Sequence, residues 1–460
     1  MQKVREHWSS RIGFIFAAAG SAIGLGVLWK FPYVTGENGG GLFVLIYALC
    51  TFFIGIPVFI GELLLGRRAQ RGAVGTFASL SNRASFWKTA GWLGVISSFI
   101  IMSFYSVVGG WGLSYTVMSL MGTFNGMSAQ EVSHAFDVLY ESGGITIFWH
   151  FMFTLIAVLL VLPGVKQGIE YWSKFMMGGL FVILFCLFLY STTLDGFSEA
   201  FKFVLYPDVS KLKLSSSLEA LGLAFFTLSL GQGIMITYGS YMVKTDDIPK
   251  VALTIGIMII VVAVLAALMI FPVIFTFGFS PEGGRGLIFK TLPVLFSQLP
   301  GSLVISTSFF VLFTFAALSS AIAFIEVIVA NMIDLWGWSR KKAVFAVGSA
   351  CFIFGIPSAL SGTDTLFANW TKIFGATFFA TFEDLVSIWL LPIGGLLTAL
   401  FIGWVVPKEI VKHEYNEGTT LTGLYSCWMF FMRWIIPVAI LIILMEQTGV
   451  ININDIIIWR

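Results

Sequence analysis

Two short glycine-containing stretches indicate the fold of this chain: AAAGSAIGLGV at residues 17–27 and FFTLSLGQG at residues 225–233. Each lies in the middle of an apolar run, where a glycine weakens a helix by about 1 kcal/mol relative to alanine. Close packing of small residues between helices is the alternative explanation for the first stretch alone. However, the two interrupted runs are five apolar runs apart along the chain, and each is the first of a set of five such runs. Paired interruptions at matching positions of two inverted halves point instead to a central binding site.

The composition indicates that most of the chain is surrounded by lipid. Of its 460 residues, 58% are hydrophobic and 11% are charged, and the mean hydropathy is +0.93. Soluble domains carry about 25% charged residues. The net charge of +2 leaves no basic face for nucleic acid, and the four cysteines and four histidines form no metal or disulfide pattern. These features exclude a disordered chain, an ordinary soluble enzyme and a nucleic-acid-binding protein.

Eleven apolar runs are long enough to cross a bilayer, and in lipid such runs must be helices. They are called spans 1 to 11 and lie at residues 12–35, 42–66, 90–121, 145–163, 170–192, 216–242, 251–279, 302–336, 342–360, 383–406 and 423–446. Most Lys and Arg residues fall on one side when the N-terminus is placed in the cytoplasm. The positive-inside rule therefore predicts a multi-pass protein of the cell membrane with a cytoplasmic N-terminus and an extracellular C-terminus.

We expect a single domain at residues 1–446, followed by a short C-terminal tail at residues 447–460. Spans 1–5 occupy about residues 11–192, spans 6–10 about 216–406, and span 11 about 423–446. The charged N-terminal segment has no cleavage-site pattern, so it is interpreted as a retained cytoplasmic segment and not as a signal peptide.

An interrupted helix in a dry interior offers both signs of partial charge to a ligand. Free N–H groups at the start of a half-helix attract an anion, and free carbonyl oxygens attract a small cation or an ammonium group. A zwitterionic amino acid suits such a site because it carries both charges. Glu62 is a lone carboxylate within span 2 and is a functional candidate for that reason.

The sequence resembles the neurotransmitter:sodium symporter family, most closely its bacterial amino-acid transporters of the LeuT type with eleven helices. The resemblance rests on REHWSSR at residues 5–11, ENGGG at 37–41, GIP at 55–57, AALSS at 316–320 and the two interrupted stretches, and it covers residues 3–446. It implies an all-α membrane protein with a LeuT-type fold. Spans 1–5 and 6–10 would form a 5+5 inverted repeat with discontinuous helices 1 and 6, and span 11 would be one extra C-terminal helix.

The resemblance implies a Na⁺ site between spans 1 and 8, built from carbonyl and hydroxyl oxygens. Oxygen ligands of this kind suit a hard cation. The matching residues are Gly20, Ile23, Ala316, Ser319 and Ser320. Serines that only bond to their own helix are the alternative interpretation of the last two.

The family has another sodium site, known as its first sodium site, which depends on two asparagine side chains. Val27 and Ile259 stand at the matching positions, and neither side chain can coordinate a cation. Leu223 and Ala263 replace the polar groups that balance charge nearby. We therefore predict that the first sodium site is lost, that one Na⁺ moves per cycle and that chloride is not required. Weak binding through the oxygens of Ala22 and Thr227 is the alternative.

The resemblance also implies a substrate site at the two helix breaks. Its residues would be Ala22, Leu25, Gly26, Ile101, Tyr105, Phe226, Thr227, Ser229, Gln232 and Phe324. The substrate carboxylate would meet the N–H groups of Leu25 and Gly26 and the hydroxyl of Tyr105, and the amine would meet carbonyls and the hydroxyl of Ser229. Ordinary packing is the alternative for Ile101 and Phe324. Gln232 either bonds to backbone or faces a polar substrate, because a buried amide needs partners.

Two charged gates are implied by the resemblance. Lys30 and Asp384 would close the outer side, and Arg5 and Asp334 would close the inner side. Trp8 and Tyr241 would lie near the inner pair. Family members usually carry Arg at the position of Lys30, and Lys cannot form a bidentate fork with a carboxylate, so we expect a looser outer gate. Exposed ion pairs of little energetic weight are the alternative for both gates.

The function implied is sodium-coupled symport of an amino acid or related small solute by alternating access. A Na⁺-conducting channel and a substrate-sensing homologue that does not transport remain as alternatives. The sequence does not favour an intramembrane enzyme, since it has no HExxH or GxSxG motif and no intramembrane pair of Asp placed for catalysis. The sequence leaves the identity of the substrate and the oligomeric state open. For Glu62 the resemblance implies a structural role, in which its carboxylate accepts hydrogen bonds from the unwound backbone of span 6.

Overall fold

The computed structural model describes residues 5–81, 83–208, 214–281, 286–363, 365–367, 369–448 and 450. Within these residues the chain is predominantly helical and contains no strand. Nine of the described helices are long and apolar enough to cross a membrane, and a bent pair of helices makes a tenth crossing. The predicted all-α architecture is confirmed.

The uninterrupted helices follow the predicted spans, with ends that differ by a few residues. Spans 2 to 5 are Gly41–Ala69, Ser85–Leu120, Gly143–Val161 and Val165–Ser191. Spans 7 to 11 are Ile248–Thr276, Ser302–Trp336, Arg340–Ala359, Phe378–Val405 and Thr422–Gln447. Shorter helices outside the bilayer crossings are Ala73–Ser79, Ala129–Glu141, Phe197–Leu205, Leu292–Ser297 and Lys408–Asn416. Residues 449 and 451–460 of the predicted C-terminal tail lie outside the described residues.

Spans 1 and 6 are both interrupted, as the glycine pattern predicts. Span 1 consists of Arg11–Ala22 and Gly26–Glu37, which meet at an angle of 47°. Span 6 consists of Leu214–Thr227 and Ile234–Gly239. Gly231 and Gly233 both have φ near +72°, a left-handed conformation that ends a helix and that glycine adopts without steric cost. Neither half of span 6 is long enough to cross the bilayer alone, since a crossing needs about 20 residues.

The burial of the spans separates central helices from lipid-facing ones. In the most apolar window of span 8, 89% of the residues are buried, against 33% in span 5 and 39% in span 11. Span 8 lies against spans 3 and 5, and the first half of span 1 packs against the same spans 5 and 8. The interrupted part of span 1 is therefore held in the centre of the bundle, away from lipid.

Candidate functional site

A cluster of buried oxygen atoms joins span 8 to the first half of span 1. The hydroxyl of Ser319 donates to the carbonyl oxygens of Gly20 (2.8 Å) and Ala316 (2.9 Å). The hydroxyl of Ser320 lies 3.2 Å from the Gly20 oxygen and 2.9 Å from the Ser21 oxygen. Ile23, the remaining predicted ligand, is the buried residue at which this half-helix ends. The structure thus brings the predicted sodium ligands to one place, and their neutral oxygens are of the kind that a hard cation prefers.

The break in span 1 lies directly beside this cluster. The N–H of Leu25 donates to the hydroxyl of Tyr105 on span 3 over 3.2 Å. A Cβ atom on Gly24 would come within 2.1 Å of the Ser320 hydroxyl and 2.8 Å of the Tyr105 hydroxyl. Only glycine fits between these two side chains, and it brings spans 1, 3 and 8 together at the break. The predicted sodium and substrate residues are therefore neighbours.

The break in span 6 is held by a carboxylate and by a pair of serines. Glu62, which is fully buried, accepts the N–H of Gly231 through Oε1 over 2.8 Å. Its other oxygen has no hydrogen-bond partner among the described residues. Ser229 donates to the Ser21 carbonyl over 3.0 Å and accepts from the Ser21 hydroxyl over 3.2 Å. The unwound segments of spans 1 and 6 therefore contact each other directly, and the contact predicted for Glu62 is present.

Aromatic and apolar side chains surround the breaks. The rings of Tyr105 and Phe324 pack edge to face with centroids 5.2 Å apart, and Ile101 is fully buried. The side chain of Gln232 is almost completely buried, and its Oε1 has no hydrogen-bond partner within the described part of the chain. Its backbone oxygen accepts the hydroxyl of Ser98 over 2.8 Å. Of the two alternatives for Gln232, a hydrogen bond from backbone to its side-chain oxygen is therefore not observed.

The positions at which the first sodium site was predicted to be lost are apolar and closed. Val27, Ile259, Leu223 and Ala263 are all buried in the hydrophobic core. The neighbouring hydroxyl of Thr227 is already bonded to the hydroxyl of Tyr47 over 2.8 Å. The Thr227 hydroxyl is thus already engaged within the protein.

The outer gate includes a partner of Lys30 that the sequence did not predict. Lys30 Nζ lies 3.3 Å from a carboxylate oxygen of Glu383, where the prediction named Asp384. Lys30 also donates to Ser387 over 3.3 Å and sits 5.2 Å from the centre of the Phe226 ring. Lys30 and Asp384 both line a cavity of about 580 Å³, so Asp384 belongs to the same entrance. Two acidic residues adjacent in sequence cannot be told apart before the rotation of their helix is known.

The inner gate is closed by an ion pair between Arg5 and Asp334. Arg5 Nη1 lies 2.7 and 2.6 Å from the two carboxylate oxygens of Asp334, and its Nη2 donates to Ser240 over 2.7 Å. The backbone N–H of Trp8 donates to the carbonyl oxygen of Tyr241 over 3.1 Å, and the Arg5 guanidinium lies 4.8 Å from the centre of the Tyr241 ring. The structure therefore brings all the predicted inner-gate residues together.

Two further residues of the inner gate escaped the sequence analysis. The hydroxyl of Tyr241 donates to Glu326 over 2.6 Å, and Arg340 pairs with the same carboxylate over 2.6 Å. Glu326 is fully buried within span 8. Like Glu62, Glu326 is a lone carboxylate inside a span. Charged residues inside a membrane span are functional candidates, and applying this rule to every span would have identified Glu326 from the sequence.

Comparison with known proteins agrees with this geometry. The sequence matches the sodium:neurotransmitter symporter family over residues 5–134 and 127–456. It is 41% identical to an uncharacterised sodium-dependent transporter of Bacillus subtilis (strain 168), over 97% of this chain and 98% of the relative. It is 31% identical to a similar transporter of Methanocaldococcus jannaschii, over 97% and 92% of the two chains.

Among solved structures, the chain is similar to MhsT crystallised with L-phenylalanine. The TM-score is 0.89 and the identity 40%, over 96% of this chain and 100% of MhsT. The LeuT-type fold, which the family resemblance implied, is confirmed by this match.

Proposed function

The chain belongs to the sodium:neurotransmitter symporter family, and we propose that it imports an amino acid together with one Na⁺ by alternating access. The family and the fold establish a sodium-coupled, multi-pass membrane transporter, and its relatives are transporters and not enzymes. The substrate, the number of ions and the residues that bind them belong to the proposal.

The cluster of Ser319 and Ser320 with the Gly20 carbonyl is the observation that carries the proposal. Five oxygens from Gly20, Ile23, Ala316, Ser319 and Ser320 would hold the transported Na⁺. Because the cluster adjoins Gly24, Na⁺ bound there would order the break in span 1 that receives the substrate. Ion and solute binding would then favour each other, which is what coupling requires.

An amino acid fits the two breaks through both of its charged groups. Its carboxylate would accept from the N–H groups of Leu25 and Gly26, at the start of the second half of span 1, where the helix dipole favours an anion. Its ammonium group would meet the carbonyl oxygens of Ala22, Phe226 and Thr227 and the hydroxyl of Ser229. The L-phenylalanine bound to MhsT supports this substrate class.

Transport of a single Na⁺ and independence from chloride follow from the apolar residues at the first sodium site. A cation needs several oxygen ligands, and Val27 and Ile259 offer none from their side chains. Replacing chloride by gluconate is accordingly expected to leave uptake unchanged.

The two gates support alternating access within one domain, residues 1–446. Both ion pairs are closed in the structure, and a cavity remains on the side of Lys30. We place this cavity on the extracellular side and the N-terminus in the cytoplasm, because the positive-inside rule puts the Arg5 face inside. The cell membrane is the proposed location.

Uptake by proteoliposomes tests the proposal. Purified protein is screened by thermal shift against amino acids with and without Na⁺, and uptake of the radiolabelled hit is then measured under a Na⁺ gradient. We expect uptake that needs Na⁺ outside. The variant Ser319→Ala removes one ligand and should raise the Na⁺ concentration for half-maximal uptake at least about tenfold.

The variant Ser97→Ala is the matched control, because the buried Ser97 hydroxyl has one hydrogen-bond partner among the described residues, the Leu93 oxygen of its own helix (2.7 Å). It should behave like the unmodified protein. Substrate binding without uptake would identify a sensing homologue, and a Na⁺ current without substrate would identify a channel. Either result contradicts the proposed symport.

A further inference from the structure

A second cavity lies on the inner face, outside the transport pathway. It has a volume of about 310 Å³, and its walls include His7, Arg67, Arg68, Met242, Lys244 and Glu414. These residues come from the N-terminal segment, the end of span 2, the connection after span 6 and the short helix Lys408–Asn416. Neither the substrate site nor the sodium cluster uses any of them.

The side chains that line the cavity carry an excess of positive charge. Three basic side chains face one carboxylate, which leaves a formal charge of +2 with His7 neutral. The buried Arg67 is fully engaged: Nε lies 2.6 Å from Glu414 Oε1, and Nη1 donates to the Asp246 carbonyl over 2.6 Å. Glu414 is thereby neutralised.

The side chains of Arg68 and Lys244 make no hydrogen bond or ion pair with any described residue, and both residues are exposed at the rim. Backbone carbonyl oxygens at the end of span 2 could partly balance these positive charges. Some of these oxygens already accept hydrogen bonds from within the protein. The Gln70 side chain donates to the Arg67 oxygen over 2.9 Å and to the Met242 oxygen over 3.1 Å. Two unneutralised cations therefore converge on one cavity.

We propose that this cavity binds a phosphate group, carried either by an anionic lipid headgroup or by free inorganic phosphate. A phosphate offers oxygens to both cations at once, and the arginine fork matches its geometry. Basic pockets between spans at the inner surface recognise lipid headgroups in this way. The volume accommodates a headgroup, because ligand cavities of this size begin at about 300 Å³.

The ligand would hold the inner gate closed. His7 Nδ1 lies 3.2 Å from the Tyr241 oxygen, beside the Trp8–Tyr241 bond of the gate. A phosphate bridging Arg68 and Lys244 would tie the end of span 2 to the connection that carries Tyr241. Opening of the inner side would then have to break this bridge as well.

Binding to the full-length protein tests the proposal without reference to transport. Native mass spectrometry measures retention of phosphatidylglycerol against phosphatidylcholine, and a thermal shift in detergent measures inorganic phosphate against sodium chloride of equal ionic strength. Retention of phosphatidylglycerol alone identifies a lipid site, and stabilisation by phosphate alone identifies a free-anion site. Both results support the proposal, and binding of neither probe overturns it.

The double variant Arg68→Gln/Lys244→Gln should weaken binding of the effective probe at least about tenfold. Arg71→Gln/Lys88→Gln is the matched control, since it removes the same charge from two exposed residues that do not line the cavity. Equal losses in the two double variants would show attraction by overall charge and would overturn the site.

Hydrogen exchange over residues 5–22, with and without the probe, tests the effect on the gate. We expect slower exchange when the probe is bound, and no such change in Arg68→Gln/Lys244→Gln. Probe binding with unchanged exchange in the unmodified protein would overturn the coupling to the gate.

Discussion

At the scale of single residues, the missing side chain of Gly24 lets three spans meet. A Cβ atom there would overlap the Ser320 hydroxyl at 2.1 Å, well inside any real contact. Ser320 and Tyr105 are both buried and hydrogen-bonded to span 1, so they have little freedom to move away. The break in span 1 therefore depends on this glycine for space, in addition to the helix weakening that the sequence shows.

Replacing Gly24 by alanine tests this dependence. We expect Gly24→Ala to abolish Na⁺-dependent stabilisation and substrate uptake, because Ser320 must be displaced from the sodium cluster. Gly178→Ala is the control, since a Cβ there meets no atom within 4 Å and alanine favours the helix by about 1 kcal/mol. Thermal unfolding with and without Na⁺ measures both. Normal Na⁺ stabilisation of Gly24→Ala would contradict the proposed site.

Glu62 provides a second prediction at this scale. Glu62→Leu leaves the Gly231 N–H without its acceptor, and an unsatisfied buried donor costs about 1–3 kcal/mol. Glu62→Gln keeps an acceptor of the same shape, so its loss of stability should be smaller. Thermal unfolding and substrate affinity of the two variants give the comparison. Equal effects would mean that Glu62 acts through its charge and not by holding the span 6 backbone.

At the scale of elements, the inner gate joins segments that are far apart in the chain. Arg5 precedes span 1, Ser240 follows span 6 and Asp334 ends span 8. Asp334 also accepts the backbone N–H of Gly72 over 2.6 Å, so the segment after span 2 is attached to the same carboxylate. Loss of Arg5 would release the N-terminal segment from these elements together.

We therefore expect Arg5→Ala to populate a state that is open on the inner side. Hydrogen exchange over residues 11–22 should become faster, because the first half of span 1 loses its anchor. Arg11→Ala is the control, since the Arg11 side chain is exposed and makes no hydrogen bond or ion pair with any described residue. Unchanged exchange in Arg5→Ala would show that Trp8 and its bond to Tyr241 suffice to close the gate.

At the scale of the whole molecule, the number of transported ions sets the concentration that the carrier can sustain. One Na⁺ moving down about 100 mV and a tenfold gradient releases about 3.7 kcal/mol. This energy supports roughly 500-fold accumulation of a neutral substrate. A second Na⁺ would square that ratio.

We expect accumulation at static head to stop near this single-ion limit. The measurement uses proteoliposomes with a potassium diffusion potential and a tenfold Na⁺ gradient, and vesicles treated with a sodium ionophore are the control. Accumulation far above about 500-fold, or a Hill coefficient near 2 for Na⁺, would contradict the loss of the first sodium site.

The sequence alone determined the all-α fold, the approximate ends of the spans and the two breaks. Hydropathy over about 20 residues and the helix-weakening effect of glycine act locally, so they can be read along the chain. The tertiary structure decided which side chains meet. It selected Glu383 as a partner of Lys30, brought Glu326 and Arg340 to the inner gate, and placed Arg68 and Lys244 at one cavity. These contacts depend on how each helix is rotated and packed against its neighbours, and local sequence does not specify that rotation.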